Sequence, residues 1–177
     1  MLELLAPAGN LDAVIAAVQN GADAVYMGFG DGFNARRSAD NFTRESFAKA
    51  VRYCHIRGCK VYVTLNTLVG DREMDAAAAL AQQASDAGAD AILVQDLGLA
   101  RVLRAALPDI PLHASTQMSI HNLAGVEAAA EMGITRAVLA RELSLEQIRF
   151  ISQHASIETE VFVHGALCFC YSGQCYM

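Results

Sequence analysis

The sequence lacks tryptophan, has few aromatic residues, and contains no apolar run long enough to span a membrane. Of its 177 residues, 54% are hydrophobic but only 7% are aromatic. A transmembrane helix needs about 20 consecutive apolar residues, and charged or polar residues interrupt every apolar stretch well before that length. The first residues, MLELLAPAGN, carry no basic side chain, so we expect no signal peptide. The composition predicts a compact cytoplasmic protein with buried aliphatic strands.

Positive charge is also scarce. Lysine and arginine number 13 against 19 acidic residues, giving a net charge of −6. This balance provides no long-range attraction for nucleic acid, so an RNA site has to be a local patch. The five cysteines are expected in a reducing compartment, where clustered cysteines more often bind metal or catalyse than form disulfides.

A repeated pattern organises the chain. NGADAVYMG, AGADAILVQD and MGITRAVLAR each place a glycine at the end of an alanine-rich helical stretch and then a short aliphatic strand. Near-continuous apolar strands indicate a parallel sheet that is buried on both faces. Strands are predicted near residues 3–6, 24–28, 60–65, 91–95, 111–114, 137–140 and 158–163. Helices are predicted near residues 10–20, 43–57, 72–87, 97–107, 122–132 and 144–154, with Asn10, Thr43 and Ser144 as caps.

Alternating strands and helices fit either an open doubly wound sheet or a (β/α)8 TIM-like barrel. No GxGxxG follows the first strand, which disfavours a dinucleotide-binding fold. We therefore predict one α/β domain over residues 1–177, an incomplete (β/α)8 barrel truncated after strand seven, with no second domain. Open strand edges favour pairing, so we expect a homo-oligomer or edge pairing with further chain.

In a barrel, functional residues lie at the carboxyl ends of the strands. Polar residues occupy these positions: Asn66, Gln95, Asp96, Ser115, Gln117, Arg141, Glu142 and His164. Asp96 and Ser115 could equally cap the next helix, and Arg141 could pair with Glu142 or bind an anionic substrate. The amides of Asn66 and Gln117 suit planar groups such as bases or peptides.

The longest connection, GFGDGFNARRSADN, runs from Gly28 to Asn41. It exceeds the roughly 2–6 residues usual for a strand-to-helix loop, which favours a functional loop. Asn34, Arg36 and Arg37 supply hydrogen-bond donors, and the two arginines make this the best local anion site.

The cysteines fall into two groups. Cys54 and Cys59 lie before the third strand, where residues serve stability, so we expect buried, inert thiols. The histidines at 55, 113, 121 and 154 show no spacing that builds a site.

Cys168, Cys170 and Cys175 follow the seventh strand instead. Their C-x-C-x4-C spacing does not match a zinc ribbon. They are compatible with a cysteine nucleophile that uses His164 as its base, or with an iron–sulfur cluster, which needs four ligands.

The stretch EVFVHGALCFCYSGQC resembles the signature of the collagenase-like peptidase family, E-x-F-x-x-G-[SA]-x-C-x4-G-x-C. Every fixed position is filled: Glu160, Phe162, Gly165, Ala166, Cys168, Gly173 and Cys175. ELLAPAGNLDA, NGADAVYMG, FNAR and ARELSLEQI extend the resemblance over the whole chain.

The resemblance implies both an activity and a cofactor. Members were first named peptidases or collagenases, and related members are associated with oxygen-independent hydroxylation of a tRNA wobble uridine, an rRNA cytidine or the ubiquinone ring. Prephenate is linked to the RNA reactions as the oxygen source. The hydroxylases hold a four-iron–four-sulfur cluster through four cysteines, two of which match Cys168 and Cys175. Cys170 falls at a variable position of the motif.

Three hypotheses follow. The first is iron–sulfur-dependent hydroxylation of an RNA base in tRNA or rRNA, with Cys168 and Cys175 as cluster ligands. Its other candidate residues are, for substrate binding, Asn34, Arg36, Asn66, Gln95, Ser115 and Gln117, and, for catalysis, Arg141, Glu142, Glu160 and His164. The second is a peptidase that hydrolyses peptide bonds with Cys168 as nucleophile or with a bound metal, although the sequence contains neither HExxH nor GxSxG. The third is a catalytically silent barrel fragment that acts as an assembly unit.

Overall fold

The computed structural model describes residues 2–30, 32–35, 41–165 and 168–174. The described residues form seven strands and six α-helices in alternation, with one short 3₁₀ helix at Thr116–Met118. The strands are β1 Leu5–Pro7, β2 Ala24–Gly28, β3 Lys60–Leu65, β4 Ala91–Val94, β5 Leu112–Ala114, β6 Arg136–Val138 and β7 Glu158–Glu160. The helices are α1 Leu11–Gln19, α2 Arg44–His55, α3 Met74–Asp86, α4 Leu97–Ala106, α5 Leu123–Glu131 and α6 Leu145–His154.

The chain divides into two compact units, Met1–Leu93 and Val94–Met177. In the first unit β2 pairs with β1 and β3, all parallel, with Ala24 opposite Leu5 and Lys60. In the second unit β6 pairs with β5 and β7, also parallel, with Arg136 opposite His113 and Glu158. The expectation of a single domain stays a prediction.

Strand order follows chain order from β1 to β7 without a reversal. A doubly wound sheet reverses its strand order at a switch point, whereas a barrel adds each new strand beside the last. The order therefore confirms the (β/α) barrel class, here with seven strands among the described residues. Pairing of the strand edges with another copy of the chain stays a prediction.

The central strands β3 and β4 are buried because their sequences are apolar on both faces. All four residues of β4 are buried, and so are five of the six in β3. In the first unit Phe47 of α2 packs on Phe29 with ring centroids 4.6 Å apart, and Val14 of α1 is fully buried. Each such side chain contributes roughly 1.5–3 kcal/mol when it leaves water.

Local capping sets the helix starts. The side chains of Asn10, Thr43, Asp96, Asn122 and Ser144 each accept a hydrogen bond from a backbone N–H in the first turn of the following helix. Ser144 and Gln147 form a complete capping box. These contacts confirm the three predicted caps and show that Asp96 is also one.

The seventh strand is shorter than predicted. We expected it to continue to residue 163, but it ends at Glu160, opposite the last residue of β6, Val138. Without a partner strand further along, Val161, Phe162 and Val163 are exposed. The continuous apolar run Val161–Val163 was therefore a misleading strand signal.

The two early cysteines are buried, as predicted. Cys54 is 0% exposed and Cys59 is 2% exposed. Burial, together with the neighbouring Cys59, raises the pKa of the Cys54 thiol to about 12. A thiol with so high a pKa is protonated at neutral pH and is a poor nucleophile or ligand.

Within the described part of the chain, none of the helices combines the length and the apolar character that crossing a bilayer requires.

Candidate functional site

Residues 168–174, which follow β7 and are called here the cysteine segment, are fixed by one buried serine. Ser172 is 0% exposed. Its N–H donates to Glu142 Oε1 at 2.6 Å, and its carbonyl oxygen accepts from Ser119 Oγ at 2.6 Å. Its Oγ lies 3.2 Å from both the backbone nitrogen and Nε of Arg141, which donate to it. Ser172 thus joins the segment to the loops that follow β5 and β6.

The neighbouring Gly173 explains one fixed position of the cysteine motif. Its φ is +77°, a value that side-chain-bearing residues rarely adopt. A Cβ at this position would collide with the Gln117 carbonyl and with Ser119 Oγ. The close approach of the segment to the 3₁₀ helix therefore requires glycine.

A histidine–carboxylate pair lies beside Ser172. The Ser119 carbonyl accepts a hydrogen bond from His121 Nδ1 at 2.7 Å, and His121 Nε2 lies 3.4 Å from Glu142 Oε2. Partial burial opposes ionisation of Glu142, but hydrogen bonds from the backbone N–H groups of Glu142 and Ser172 outweigh it and lower the pKa of Glu142. The carboxylate is therefore ionised over the neutral pH range.

Cys168 is exposed and its surroundings favour the thiolate. Interactions of its sulfur with the Cys170 backbone N–H and with the Arg141 guanidinium lower the pKa of Cys168. The thiolate is the form of cysteine that attacks electrophiles and binds metals. Cys170 is half-buried.

A complete metal site is not assembled by the residues that the structure describes. In residues 2–30, 32–35, 41–165 and 168–174, no three His, Cys, Asp or Glu side chains are grouped to hold a metal ion. The second predicted ligand, Cys175, lies outside the described residues. One exposed, hydrogen-bonded thiol of thiolate character fits the donor that an iron–sulfur cluster requires.

Two predicted catalytic residues, Glu160 and His164, lie at the end of β7 and shortly after it. Glu160 Oε2 is 3.6 Å from Arg136 Nη1, and the same guanidinium binds Glu158 Oε2 at 2.6 and 2.9 Å. His164 is exposed and lies four residues beyond the end of β7. Glu160 therefore belongs to an ion-pair network on β6 and β7, and the catalytic roles of both residues stay predictions.

Of the predicted substrate residues after β4 and β5, Ser115 takes a structural position. Ser115 is 3% exposed, its N–H donates to the Val94 carbonyl at 2.8 Å, and its Oγ accepts from Gln117 N at 3.3 Å. Ser115 therefore caps the 3₁₀ helix. Gln95 is half-buried directly after β4, and Gln117 is half-buried in the 3₁₀ helix.

In the first unit, three asparagines hold the long loop after β2. Asn34 Nδ2 donates to Asn41 Oδ1 at 3.1 Å, and Asn66 Oδ1 accepts from the Ala35 N–H at 3.0 Å. A Cβ on Gly28 would collide with Asn34 and Asn41. Asn34 and Asn66 thus shape the loop through their amides. Arg36 and Arg37 lie outside the described residues.

The second unit brings together Arg141, Glu142 and the backbone of Gln117 around the cysteine segment. The sequence left open whether Arg141 pairs with Glu142 or binds an anion, and in the structure both residues hydrogen-bond Ser172. Sequence reasoning missed Ser172 and Ser119, and it assigned no role to His121. The only available signal for Ser172 was its place directly before the fixed glycine of the motif.

Comparisons with known proteins match this chain over nearly its full length. The model of peptidase family U32 matches residues 9–177. The chain is 45% identical to a 23S rRNA 5-hydroxycytidine synthase of Escherichia coli (strain K12), covering 99% of this chain and 26% of the relative. It is 41% identical to tRNA hydroxylation protein P1 of Bacillus subtilis (strain 168), covering 99% and 41%.

A collagenase of Porphyromonas gingivalis (strain ATCC BAA-308 / W83) is 34% identical, with 99% of this chain and 44% of the relative covered. The chain therefore spans less than half the length of each of these relatives. A solved U32 peptidase structure superposes with a TM-score of 0.74 at 18% identity, over 91% of this chain and 68% of that one. This likeness supports the fold.

Proposed function

Because the chain belongs to peptidase family U32, we propose that it serves the oxygen-independent hydroxylation of an RNA base in tRNA or rRNA. The observation that carries the proposal is the exposed Cys168 thiol, whose pKa is lowered by the Cys170 N–H and the Arg141 guanidinium. Two relatives more than 40% identical are named for rRNA or tRNA hydroxylation. Relatives that carry the same domain thus support an RNA substrate.

The proposal includes a four-iron–four-sulfur cluster, with Cys168 and Cys175 among its four ligands. When bound, such a cluster supplies electron-transfer chemistry that polar side chains lack. The Cys170 N–H and the Arg141 guanidinium would stabilise the negative charge of the ligand at Cys168. Prephenate, which the family resemblance implies as oxygen source, is the proposed co-substrate.

Substrate recognition would depend on local groups, because the net charge of −6 gives no general attraction for RNA. Gln95 and Gln117 offer amides to the edge of a base, and Gln117 is adjacent to the cysteine segment through Gly173. The cytoplasmic location expected from the sequence is part of the same proposal.

The experiment is nucleoside analysis by mass spectrometry. RNA from cells that lack the intact protein is incubated anaerobically with purified protein and prephenate, then digested to nucleosides. We expect a hydroxylated pyrimidine nucleoside that is absent when prephenate is omitted or when Cys168→Ala protein is used. RNA that remains unmodified with iron-loaded wild-type protein would refute the proposal.

Peptide hydrolysis is the second candidate, since the same exposed thiol, with its lowered pKa, can act as a nucleophile and one relative is named a collagenase. His164 would then be the general base. Iron-free wild-type protein that cleaves denatured collagen, and loses this activity in Cys168→Ala and His164→Ala, would establish this function. Proteolysis unaffected by both substitutions would instead indicate a contaminating protease.

A further inference from the structure

Ser172 combines complete burial with an unusual number of long-range polar contacts. Ser172 is 0% exposed and makes four hydrogen bonds, which join it to Ser119, Arg141 and Glu142. These partners are 53, 31 and 30 residues away in the chain. No local turn requires such contacts, so they fix where the cysteine segment lies.

The backbone and the hydroxyl of Ser172 hold different partners. Its N–H donates to Glu142 and its carbonyl accepts from Ser119. Any residue except proline could make those two backbone bonds. Only the hydroxyl can accept from the backbone N–H and Nε of Arg141. The hydroxyl therefore orients the Arg141 guanidinium, whose positive charge also acts on the Cys168 thiol.

The residues next to Ser172 pack so closely against Gln117 and Ser119 that the cysteine segment has little room to shift. Gly173 approaches the Gln117 carbonyl and Ser119 Oγ so closely that a Cβ has no room. Gln174 Nε2 adds a donor to Ser119 Oγ at 3.3 Å. A shift of the segment would break these contacts together with those of Ser172.

We propose that Ser172 is the positioning residue of the motif cysteine. Its hydroxyl fixes the Arg141 guanidinium, and its backbone ties the cysteine segment to the loops after β5 and β6, so that Cys168 is presented in one orientation. The inference relies on the proposed function only for the role of Cys168 itself.

The test compares Ser172→Ala with wild type by amide hydrogen exchange, resolved by mass spectrometry on the intact protein. Ser172→Ala removes the hydroxyl and keeps both backbone bonds. We expect exchange in residues 168–174 to accelerate roughly tenfold, because the variant loses both bonds to Arg141, one of them from a charged group. Exchange in β3 should be unchanged. Ser152→Ala is the matched control, since it removes an exposed hydroxyl that binds Thr159 in the same unit, and it should leave residues 168–174 unchanged.

Action through Arg141 is tested by a double-mutant cycle. Arg141→Met, at an exposed position, removes the Nε bond to the Ser172 hydroxyl and keeps the backbone bond. It should accelerate exchange in residues 168–174 by itself, and adding Ser172→Ala should then accelerate exchange less than it does in wild type. Ser172→Thr, which restores a hydroxyl, should recover part of the protection. If Ser172→Ala fails to fold, the proposal is judged by whether Arg141→Met alone accelerates exchange in residues 168–174.

Unchanged exchange in residues 168–174 would overturn the proposal, as would additive effects in the cycle or equal acceleration throughout the protein. Iron retention after anaerobic reconstitution provides an independent readout, and Ser172→Ala should lose iron faster than Ser152→Ala. If wild-type protein binds no iron at all, the proposed function fails while hydrogen exchange still decides the role of Ser172.

Discussion

At the scale of single residues, the structure explains one of the two fixed glycines of the cysteine motif and not the other. Gly173 has a φ of +77° and no space for a Cβ beside Gln117 and Ser119. Among the residues that the structure describes, none places an atom within 4 Å of the position that a Cβ on Gly165 would occupy. Packing therefore accounts for Gly173 alone, and the structure does not explain Gly165.

Replacement of Gly173 by alanine should destabilise the protein by about 1–3 kcal/mol, because it adds backbone strain to a steric collision. Gly165→Ala is the matched control and should change the free energy of unfolding by less than about 0.5 kcal/mol. Urea denaturation of both variants measures the difference. Equal stability of the two variants would contradict the packing argument.

Arg141 should control the reactivity of Cys168. The Cys170 N–H and the Arg141 guanidinium both lower the pKa of this thiol, so Arg141→Met should raise that pKa while the Cys170 contribution remains. The rate of Cys168 alkylation by iodoacetamide, measured against pH, should shift to higher pH. Arg141→Lys should shift it less because the positive charge is retained. An unchanged profile in Arg141→Met would exclude the contact.

At the scale of elements, local patterns predicted most of what the structure shows. Apolar runs identified all seven strands, and short polar signals identified the caps at Asn10, Thr43 and Ser144. The end of β7 was missed because strand length depends on the neighbour, Val138, which local sequence does not reveal. Ser172 was missed for the same reason, since its partners lie at least 30 residues away.

The capping box of α6 provides a direct test of the local signals. Ser144→Ala removes the bond to the Gln147 N–H and should lower the free energy of unfolding by about 1 kcal/mol. Ser144→Asp retains an acceptor at the same position and should be within about 0.5 kcal/mol of wild type. Thermal or urea unfolding distinguishes the two, and a neutral Ser144→Ala would contradict the assignment.

The stability of the contact between the loop after β6 and the cysteine segment, made by Glu142 and the Ser172 N–H, should depend on pH. The pKa of Glu142 lies below its ordinary value of 4.5, so its carboxylate contributes stability above about pH 4.5 that is lost as pH falls through the folded-state value. Hydrogen exchange in residues 168–174, corrected for its intrinsic pH dependence, should accelerate between neutral pH and about pH 3. Glu142→Gln, which keeps an acceptor without a charge, should remove most of this additional pH dependence. If Glu142→Gln keeps the full pH dependence of exchange, a titratable group other than Glu142 causes it.

At the scale of the whole molecule, the strand order establishes the fold class and the residues at the carboxyl ends of the strands establish the candidate site. The sequence predicted which polar residues lie at those ends, including Arg141 and Glu142. It did not predict that Asn34 and Asn66 make structural hydrogen bonds, and it left open the capping role that Ser115 takes, because an amide or hydroxyl suits a loop contact and a substrate contact equally well. The family match extends over residues 9–177, while the relatives named above are more than twice as long as the region they share with it.

The central claim is that Cys168 is a ligand of a redox cluster. The most direct measurement is the iron and sulfide content, with the visible absorbance, of anaerobically purified intact protein carrying Cys168→Ala or Cys170→Ala. Cys170→Ala removes a neighbouring thiol at a variable motif position and keeps the backbone N–H that serves Cys168. The account predicts brown wild-type and Cys170→Ala proteins with similar iron content, and a Cys168→Ala protein that has lost most of its iron and colour. Full iron content in Cys168→Ala, or iron-free wild-type protein, would contradict it.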